Sequence, residues 1–114
     1  MNYFIKANDL YKSKDYKNAL DLYKKSAAER QFEAPSLYNS AVCYIKLKDY
    51  TSALPLIYKA LSIRKESKYF FNLGYCYLML NEPGKALIYF NTSWSMDNND
   101  LECEKALTLI RGRL

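Results

Sequence analysis

Residues 46–61 read KLKDYTSALPLIYKAL, and the same pattern occurs at residues 12–27 as KSKDYKNALDLYKKSA and at residues 79–94 as MLNEPGKALIYFNTSW. The alanines that these segments share, Ala19, Ala53 and Ala86, are 34 and 33 residues apart. A sequence period of this size is typical of stacked structural units, each of which buries its apolar face against a neighbour. The chain therefore predicts three similar units in series.

Each unit divides into two helical segments. In the third unit Phe70, Leu73 and Tyr77 recur at the spacing of one helix face. Pro83 follows, and proline suits the first position of a helix because its missing N–H is not needed there. The sequence therefore predicts a leading helix, a turn and a trailing helix in each unit.

Helix limits are marked by acidic residues and prolines. Asp15 and Asp49 precede the trailing helices of the first two units, where a carboxylate accepts hydrogen bonds from unpaired backbone N–H groups. Pro35 fits the first turn of the second leading helix. Pro55 falls within the second trailing helix, so this helix either kinks there or begins late with Ser52 as its cap.

The three units resemble the tetratricopeptide repeat, whose pattern over about 34 residues is W-x2-L-G-x2-Y, then A-x3-F, then P. The third unit has Phe70-x2-Leu73-Gly74-x2-Tyr77 and Ala86-x3-Phe90. The second has Leu37-x2-Ser40-Ala41-x2-Tyr44 and Ala53-x3-Ile57, and the first has Tyr3-x2-Lys6-Ala7-x2-Leu10 and Ala19-x3-Tyr23. Gln31, Lys65 and Asn98 stand where the pattern ends in proline.

This resemblance implies an all-α solenoid of three helix-turn-helix units, wound as a right-handed superhelix and closed by a final capping helix. We expect a single domain over residues 1–114, with repeats at about 2–34, 35–67 and 68–100 and a capping helix at about 101–111. Asn99-Asp100-Leu101-Glu102 resembles a capping box at the start of that last helix. Its apolar stripe is Cys103, Ala106, Leu107 and Ile110.

Composition argues against catalysis. The chain has no histidine, which removes the commonest general base and metal ligand, and only three widely spaced glycines, which excludes a glycine-rich phosphate loop. The acidic residues form no recognisable catalytic pair. The three cysteines fit neither a metal motif nor a disulfide framework, so we expect free thiols in the reducing cytoplasm. No enzyme activity, metal or cofactor is expected.

Net charge is +5, and residues 1–68 hold 13 Lys and Arg against 7 Asp and Glu. A basic half leaves nucleic-acid binding as an alternative function. Against it, no run of five like charges occurs, and the aromatic residues are interleaved with asparagine rather than arginine. No apolar run is long enough for membrane insertion.

The leading helices carry more apolar surface than one packed face requires, which indicates an interaction surface. In tetratricopeptide proteins the corresponding positions line a concave groove that binds peptides, and the resemblance implies the same groove here. The groove residues are predicted to be Phe4, Asn8, Tyr11, Lys12, Tyr38, Asn39, Val42, Ile45, Lys46, Lys68, Phe71, Asn72, Tyr75, Leu78 and Met79. They predict a peptide-binding adaptor, scaffold or co-chaperone.

Two narrower family types are similar. Co-chaperones that clamp the acidic tail of a heat-shock chaperone have Lys, Asn, Asn, Lys and Arg at five groove positions. The equivalent residues here are Phe4, Asn8, Asn39, Lys68 and Asn72. With two of the three cations replaced, we expect weak binding of such a tail. The alternative is a small secretion chaperone that binds apolar segments of secreted proteins.

The first repeat has no preceding neighbour in the sequence. Its leading helix carries Tyr3, Phe4, Ile5 and Leu10, and a repeat buries its faces only against its neighbours. This surface is either exposed, or packed on another copy or on a segment upstream, and we expect self-association through it.

Overall fold

A computed structural model describes residues 2–112 of the chain. Across these residues seven helices follow one another: α1 (Tyr3–Lys12), α2 (Tyr16–Ala28), α3 (Glu33–Lys46), α4 (Tyr50–Ile63), α5 (Ser67–Met79), α6 (Pro83–Met96) and α7 (Leu101–Arg111). No strand occurs within the described part of the chain. The all-α architecture of three helix pairs and a final helix is confirmed.

The turn within each repeat is made in one way. In each turn the residue two positions before the trailing helix has a positive φ. These residues are Lys14 (64°), Lys48 (63°) and Asn81 (64°). Asp15 and Asp49 then cap α2 and α4, because each side chain accepts a hydrogen bond from the backbone N–H three residues later, that of Asn18 or Ser52. Both predicted caps are confirmed.

The third turn differs in its cap. Glu82 precedes α6, and its side chain accepts no backbone hydrogen bond but lies 3.4 Å from the Lys85 ammonium. Pro83 opens α6, as predicted. A proline at this position removes one of the N–H groups that a cap would otherwise have to satisfy.

Pro55 lies inside α4 rather than before it. The helix begins at Tyr50 under the cap of Asp49, so a late start with Ser52 as cap is wrong. The reason is local: the Asp49 carboxylate accepts from the Ser52 N–H at 3.2 Å, which fixes the first turn upstream of the proline. The Pro55 ring lies at the surface.

The last helix begins one residue later than a capping box from Asn99 requires. Asp100 is the cap, and its carboxylate accepts from the N–H groups of Glu102 at 3.0 Å and Cys103 at 3.3 Å. The box fails because the residue three positions after Asp100 is Cys103, whose side chain cannot return the hydrogen bond. The predicted inner stripe holds, with Cys103, Leu107 and Ile110 buried.

The described residues form two compact units, an N-terminal unit up to Arg64 and a C-terminal unit from Lys65. In the unit up to Arg64, α1 packs on α2, α2 on α3 and α3 on α4. Its core includes Ala7, Ala19, Leu20, Tyr23 and Cys43. The single domain and the repeat limits stay predictions.

In the unit from Lys65 onward, α5 packs on α6 and α6 packs on α7. Gly74 lets α5 approach α6 closely, because a Cβ at this position would lie 2.8 Å from Cδ1 of the buried Phe90 ring. Cys103 of α7 donates its S–H to the Phe90 carbonyl oxygen at 3.2 Å.

Candidate functional site

None of the predicted groove residues belongs to the buried core. Lys12, Lys46, Lys68 and Met79 are exposed, and the others are half-buried on α1, α3 and α5. Tyr38 and Phe71 are among the half-buried residues. These side chains are partly covered by neighbours and partly open to a ligand.

A hydrogen bond in the N-terminal unit joins a trailing helix to one of the predicted asparagines. The Tyr23 ring is buried in α2, and its hydroxyl donates to Oδ1 of Asn8 on α1. One tyrosine of a trailing helix therefore holds an asparagine of the leading helix in its own repeat.

This hydrogen bond has a direction. A hydroxyl carries one proton, and here it is donated to the amide oxygen of Asn8. Asn8 therefore keeps its N–H donors for a ligand. Burial, followed by nearby Cys43 and Tyr11, raises the pKa of Tyr23 from 10.0 to about 12, so the hydroxyl stays protonated at neutral pH.

Two aromatic side chains lie beside the hydrogen bond between Tyr23 and Asn8. The Phe4 ring centroid is 4.8 Å from that of Phe32 and 5.8 Å from that of Tyr23, with an edge-to-face contact to the tyrosine. Phe32 is 59% exposed. We call Phe4 and Phe32 the aromatic wall, because together they present an open apolar surface one helical turn from Asn8.

The backbone of Phe32 is strained. Its φ of 45° and ψ of 57° are left-handed, a conformation that costs a bulky residue about 1–2 kcal/mol. Such outliers persist where the surrounding structure enforces them, and they cluster at functional sites. Because the Phe32 ring is exposed, burial of that ring does not explain why the strained backbone is retained.

Buried hydroxyls hold the Phe32 turn in place. The carbonyl oxygen of Gln31 accepts from the hydroxyls of Ser26 and Ser36, each at 2.8 Å, and both serines are fully buried. The Gln31 side chain accepts from the Tyr3 N–H at 3.2 Å, which ties the turn to the start of α1. These contacts fix the position from which Phe32 reaches Phe4.

The C-terminal unit, from Lys65 onward, has no equivalent of the hydrogen bond between Tyr23 and Asn8. Its corresponding position is Phe90, whose ring lies 5.3 Å from that of Phe71 and has no hydroxyl. Asn72 instead donates a hydrogen bond to the carbonyl oxygen of Lys68 at 3.1 Å, within its own helix.

Sequence reasoning missed two residues of this site. Tyr23 was predicted as a core residue of the A-x3-F pattern, and its ring is indeed buried, but the pattern does not report where a hydroxyl points. Phe32 lies in the turn before α3, outside the repeated pattern. An apolar aromatic in a turn was the available signal for it.

A metal site and a membrane span have no support in residues 2–112. No group of cysteine, aspartate or glutamate side chains there could hold an ion, and no helix there is long and apolar enough to cross a bilayer.

The amino-acid sequence is similar to a repeat family and to a yeast protein. The sequence model of the tetratricopeptide repeat matches residues 34–67. The Hsp70/Hsp90 co-chaperone CNS1 of Saccharomyces cerevisiae is 35% identical over 90 residues, which are 75% of this chain and 23% of that protein. The chain thus spans about a quarter of the length of this relative.

Solved structures share the fold over nearly the whole chain. The TPR domain of Arabidopsis OM64 has a TM-score of 0.94 at 20% identity, covering 98% of this chain and 93% of that one. The first TPR of Spaghetti (RPAP3), bound to the HSP90 peptide SRMEEVD, has a TM-score of 0.93 at 20% identity and covers 97% and 89%. At these identities the likeness shows the fold alone.

Proposed function

Since the chain is a tetratricopeptide-repeat protein with three repeats and a final helix, we propose that it is a non-enzymatic module that binds an extended peptide segment of a partner protein. The observation that carries this proposal is the half-buried state of the aromatic and asparagine side chains on the leading helices. Side chains of this kind anchor protein interfaces, because aromatics contribute contact area and asparagine both donates and accepts hydrogen bonds.

A co-chaperone or adaptor role is the form of this function that we propose. The similarity to a yeast Hsp70/Hsp90 co-chaperone supports it. The three cysteines, which lie buried and unlinked, support a reducing and therefore cytoplasmic setting.

Selection from a library tests the proposal directly. The full chain is immobilised and exposed to phage displaying random twelve-residue peptides, and enriched sequences are synthesised with acetylated and amidated ends. Calorimetry then compares the wild type with Asn39→Ala and Phe71→Ala. We expect Asn39→Ala to lose about 0.5–1.5 kcal/mol of binding and Phe71→Ala to lose about 2 kcal/mol or more.

Two controls separate binding from folding. Ile88→Ala changes an exposed residue of the trailing helix α6 and should leave peptide binding unchanged. Chemical denaturation of Phe71→Ala should show a loss well below the roughly 3–5 kcal/mol of a buried aromatic truncation. If no peptide is enriched while the chain is retained on immobilised RNA in a salt-dependent way, the nucleic-acid alternative is correct instead.

A further inference from the structure

We propose that the outward face of α7 binds a second copy of the chain, with the two α7 helices packed side by side in antiparallel orientation. This face contains no residue of the predicted groove, so the inference goes beyond the proposed function and does not depend on it. A pair of chains joined in this way carries two peptide-binding surfaces, and a partner with two segments then binds more tightly than either segment alone.

The first step is the apolar character of this outward face. Cys103, Leu107 and Ile110 are buried on one face of α7, and a helix that caps a repeat stack is expected to present polar residues on its other face. The structure departs from this rule, because Leu101 is 67% exposed and Leu109 is 56% exposed. The two leucines are eight residues apart, which places them about two turns apart on the side away from the core.

The exposed leucines belong to one surface. An open depression on α7 is lined by both of them and by Glu104, Lys105 and Thr108. Every described residue that lines it comes from α7 itself, while α6 packs on the opposite, buried face of the helix. The surface therefore has an apolar side chain at each end and polar side chains between them.

The second step is the order of charges along α7. Glu102 and Glu104 lie in the first turn, Lys105 follows them, and Arg111 lies in the last turn. Within residues 2–112, none of these four side chains forms an ion pair. The helix is therefore acidic at its start and basic after that. Two such helices attract each other when they run in opposite directions, because the acidic part of each then lies beside the basic part of the other.

The third step is the register of the pair. In an antiparallel pair centred on Lys105, Leu101 of each copy lies opposite Leu109 of the other, since both are four residues from the centre. The same register brings Lys105 of each copy within one helical turn of Glu102 of the other. The two lysines are near each other at the centre, but each side chain is long enough to extend toward the carboxylate. A twofold contact thus joins apolar with apolar and acidic with basic residues.

The size of the surface sets the strength of the contact. The 11 residues of α7 make a helix about 16 Å long, which buries less than the roughly 800 Å² per partner of a standard interface. We therefore expect a weak dimer that dissociates on dilution. Added salt should weaken it further, since salt screens exposed charges.

Sedimentation equilibrium of the full chain, up to millimolar concentration, tests the contact. All measurements use an Ile5→Ser background, because Ile5 is 57% exposed on the first repeat and a separate contact there would obscure the result. We expect this parent protein to dimerise, and Leu109→Gln to weaken its dimerisation at least tenfold. Ile63→Gln, which changes an exposed apolar residue of α4, is the matched control and should dimerise as the parent does.

An exchange of charges tests the antiparallel register. Glu102→Lys and Lys105→Glu should each weaken dimerisation, because each variant alone places like charges at the contact. An equimolar mixture of the two variants should recover the dimerisation of the parent, since positions 102 and 105 of unlike chains then carry opposite charges. A change in the folding of either variant cannot produce this recovery, so the mixture distinguishes the contact from a structural effect.

The inference is overturned if the parent stays monomeric, if Leu109→Gln dimerises as the parent does, or if mixing the charge variants restores nothing. If the parent stays monomeric and Leu109→Gln weakens binding of the phage-enriched peptides, the face binds a foreign segment rather than a second copy. A monomeric chain that binds those peptides regardless of Leu109→Gln overturns the inference and leaves the proposed function standing.

Discussion

Phe32 shows how a single residue can be fixed against its own preference. Its left-handed backbone is disfavoured for a phenylalanine, yet buried serine hydroxyls on the Gln31 carbonyl hold the turn. These hydrogen bonds of the buried serines compensate the backbone strain, while the Phe32 ring itself stays 59% exposed. These backbone hydrogen bonds therefore fix where the exposed ring lies.

Phe32→Gly separates the backbone strain from the role of the ring. Glycine adopts positive φ without strain, so the variant regains about 1–2 kcal/mol, which offsets the aromatic contact of about 0.5–1.5 kcal/mol lost to Phe4. We expect an unfolding midpoint equal to or above that of the wild type, together with weaker binding of the enriched peptides. A variant that unfolds much more easily would show that the ring is a structural element.

The buried thiols predict how stability depends on pH. Burial raises the pKa of Cys43 and of Cys76 from 9.0 to about 12, and it also raises the pKa of Cys103. The folded chain therefore keeps its thiols protonated where the unfolded chain loses its protons. Stability is complete below about pH 9 and falls as the pH rises from about 9 toward 12, by about 1.4 kcal/mol at pH 10 for each of Cys43 and Cys76.

Denaturant midpoints between pH 8 and 10.5 measure this fall, to which Tyr23 also contributes because its pKa is raised in the same sense. Native thiols should react slowly with iodoacetamide at pH 8, and all three should react once the chain is unfolded. An intramolecular disulfide in unfolded, unreduced protein would contradict the free state of the cysteines.

At the scale of the helices, the sequence predicts most of what the structure contains. Helix pairs, turns and the caps Asp15 and Asp49 follow from periodicity and capping chemistry, which act over a few residues. Local patterns were less decisive where two candidates lay side by side. Asn99 and Asp100 both suit a cap, and the packing of Cys103 against α6 selects the second.

The crossing of α5 and α6 depends on the absence of a side chain. Gly74→Ala places a methyl group 2.8 Å from the Phe90 ring and 3.2 Å from the Ala86 carbonyl oxygen. The overpacking costs about 1–3 kcal/mol, which exceeds the roughly 1 kcal/mol that alanine contributes as a better helix former. We therefore expect a net loss of stability in chemical denaturation.

Gly84→Ala is the matched control, because nothing lies within 4 Å of a Cβ at that position of α6. It should stabilise the chain by up to about 1 kcal/mol through helix propensity alone. Equal stability of Gly74→Ala and the wild type would mean that the helices separate at little cost.

At the scale of the whole molecule, the sequence predicts which side chains stay open but not how they are joined. Periodicity assigns Asn8 and Asn39 to a shared face of the leading helices, and both side chains are half-buried. The hydrogen bond from Tyr23 to Asn8 spans 15 residues, and it depends on the hydroxyl of a ring that the repeat pattern treats as apolar. Contacts of this kind follow from packing, which a one-dimensional pattern does not contain.

Self-association through the first repeat stays a prediction. Phe4 is engaged with Tyr23 and Phe32, while Ile5 is 57% exposed. A shallow depression nearby is lined by Lys6, Leu10, Asn18, Asp21, Leu22 and Lys25. Apolar and oppositely charged side chains in one patch suit a twofold contact between copies. Light scattering should detect a dimer, and a monomer at high concentration would remove the idea.

The heat-shock peptide SRMEEVD, which the similar Spaghetti domain binds, should bind this chain weakly. Phe4 and Asn72 stand where the clamp type has Lys and Arg, and each charge-assisted hydrogen bond that is lost costs about 1.5–3 kcal/mol. The double variant Phe4→Lys and Asn72→Arg should raise the affinity for SRMEEVD in calorimetry, whereas a peptide with glutamine for glutamate and an amidated end should gain little. The same variant removes half of the aromatic wall and should bind the enriched peptides less well. Low-micromolar binding of SRMEEVD by the wild type would contradict this argument, because the affinity would then have arisen without the two cations.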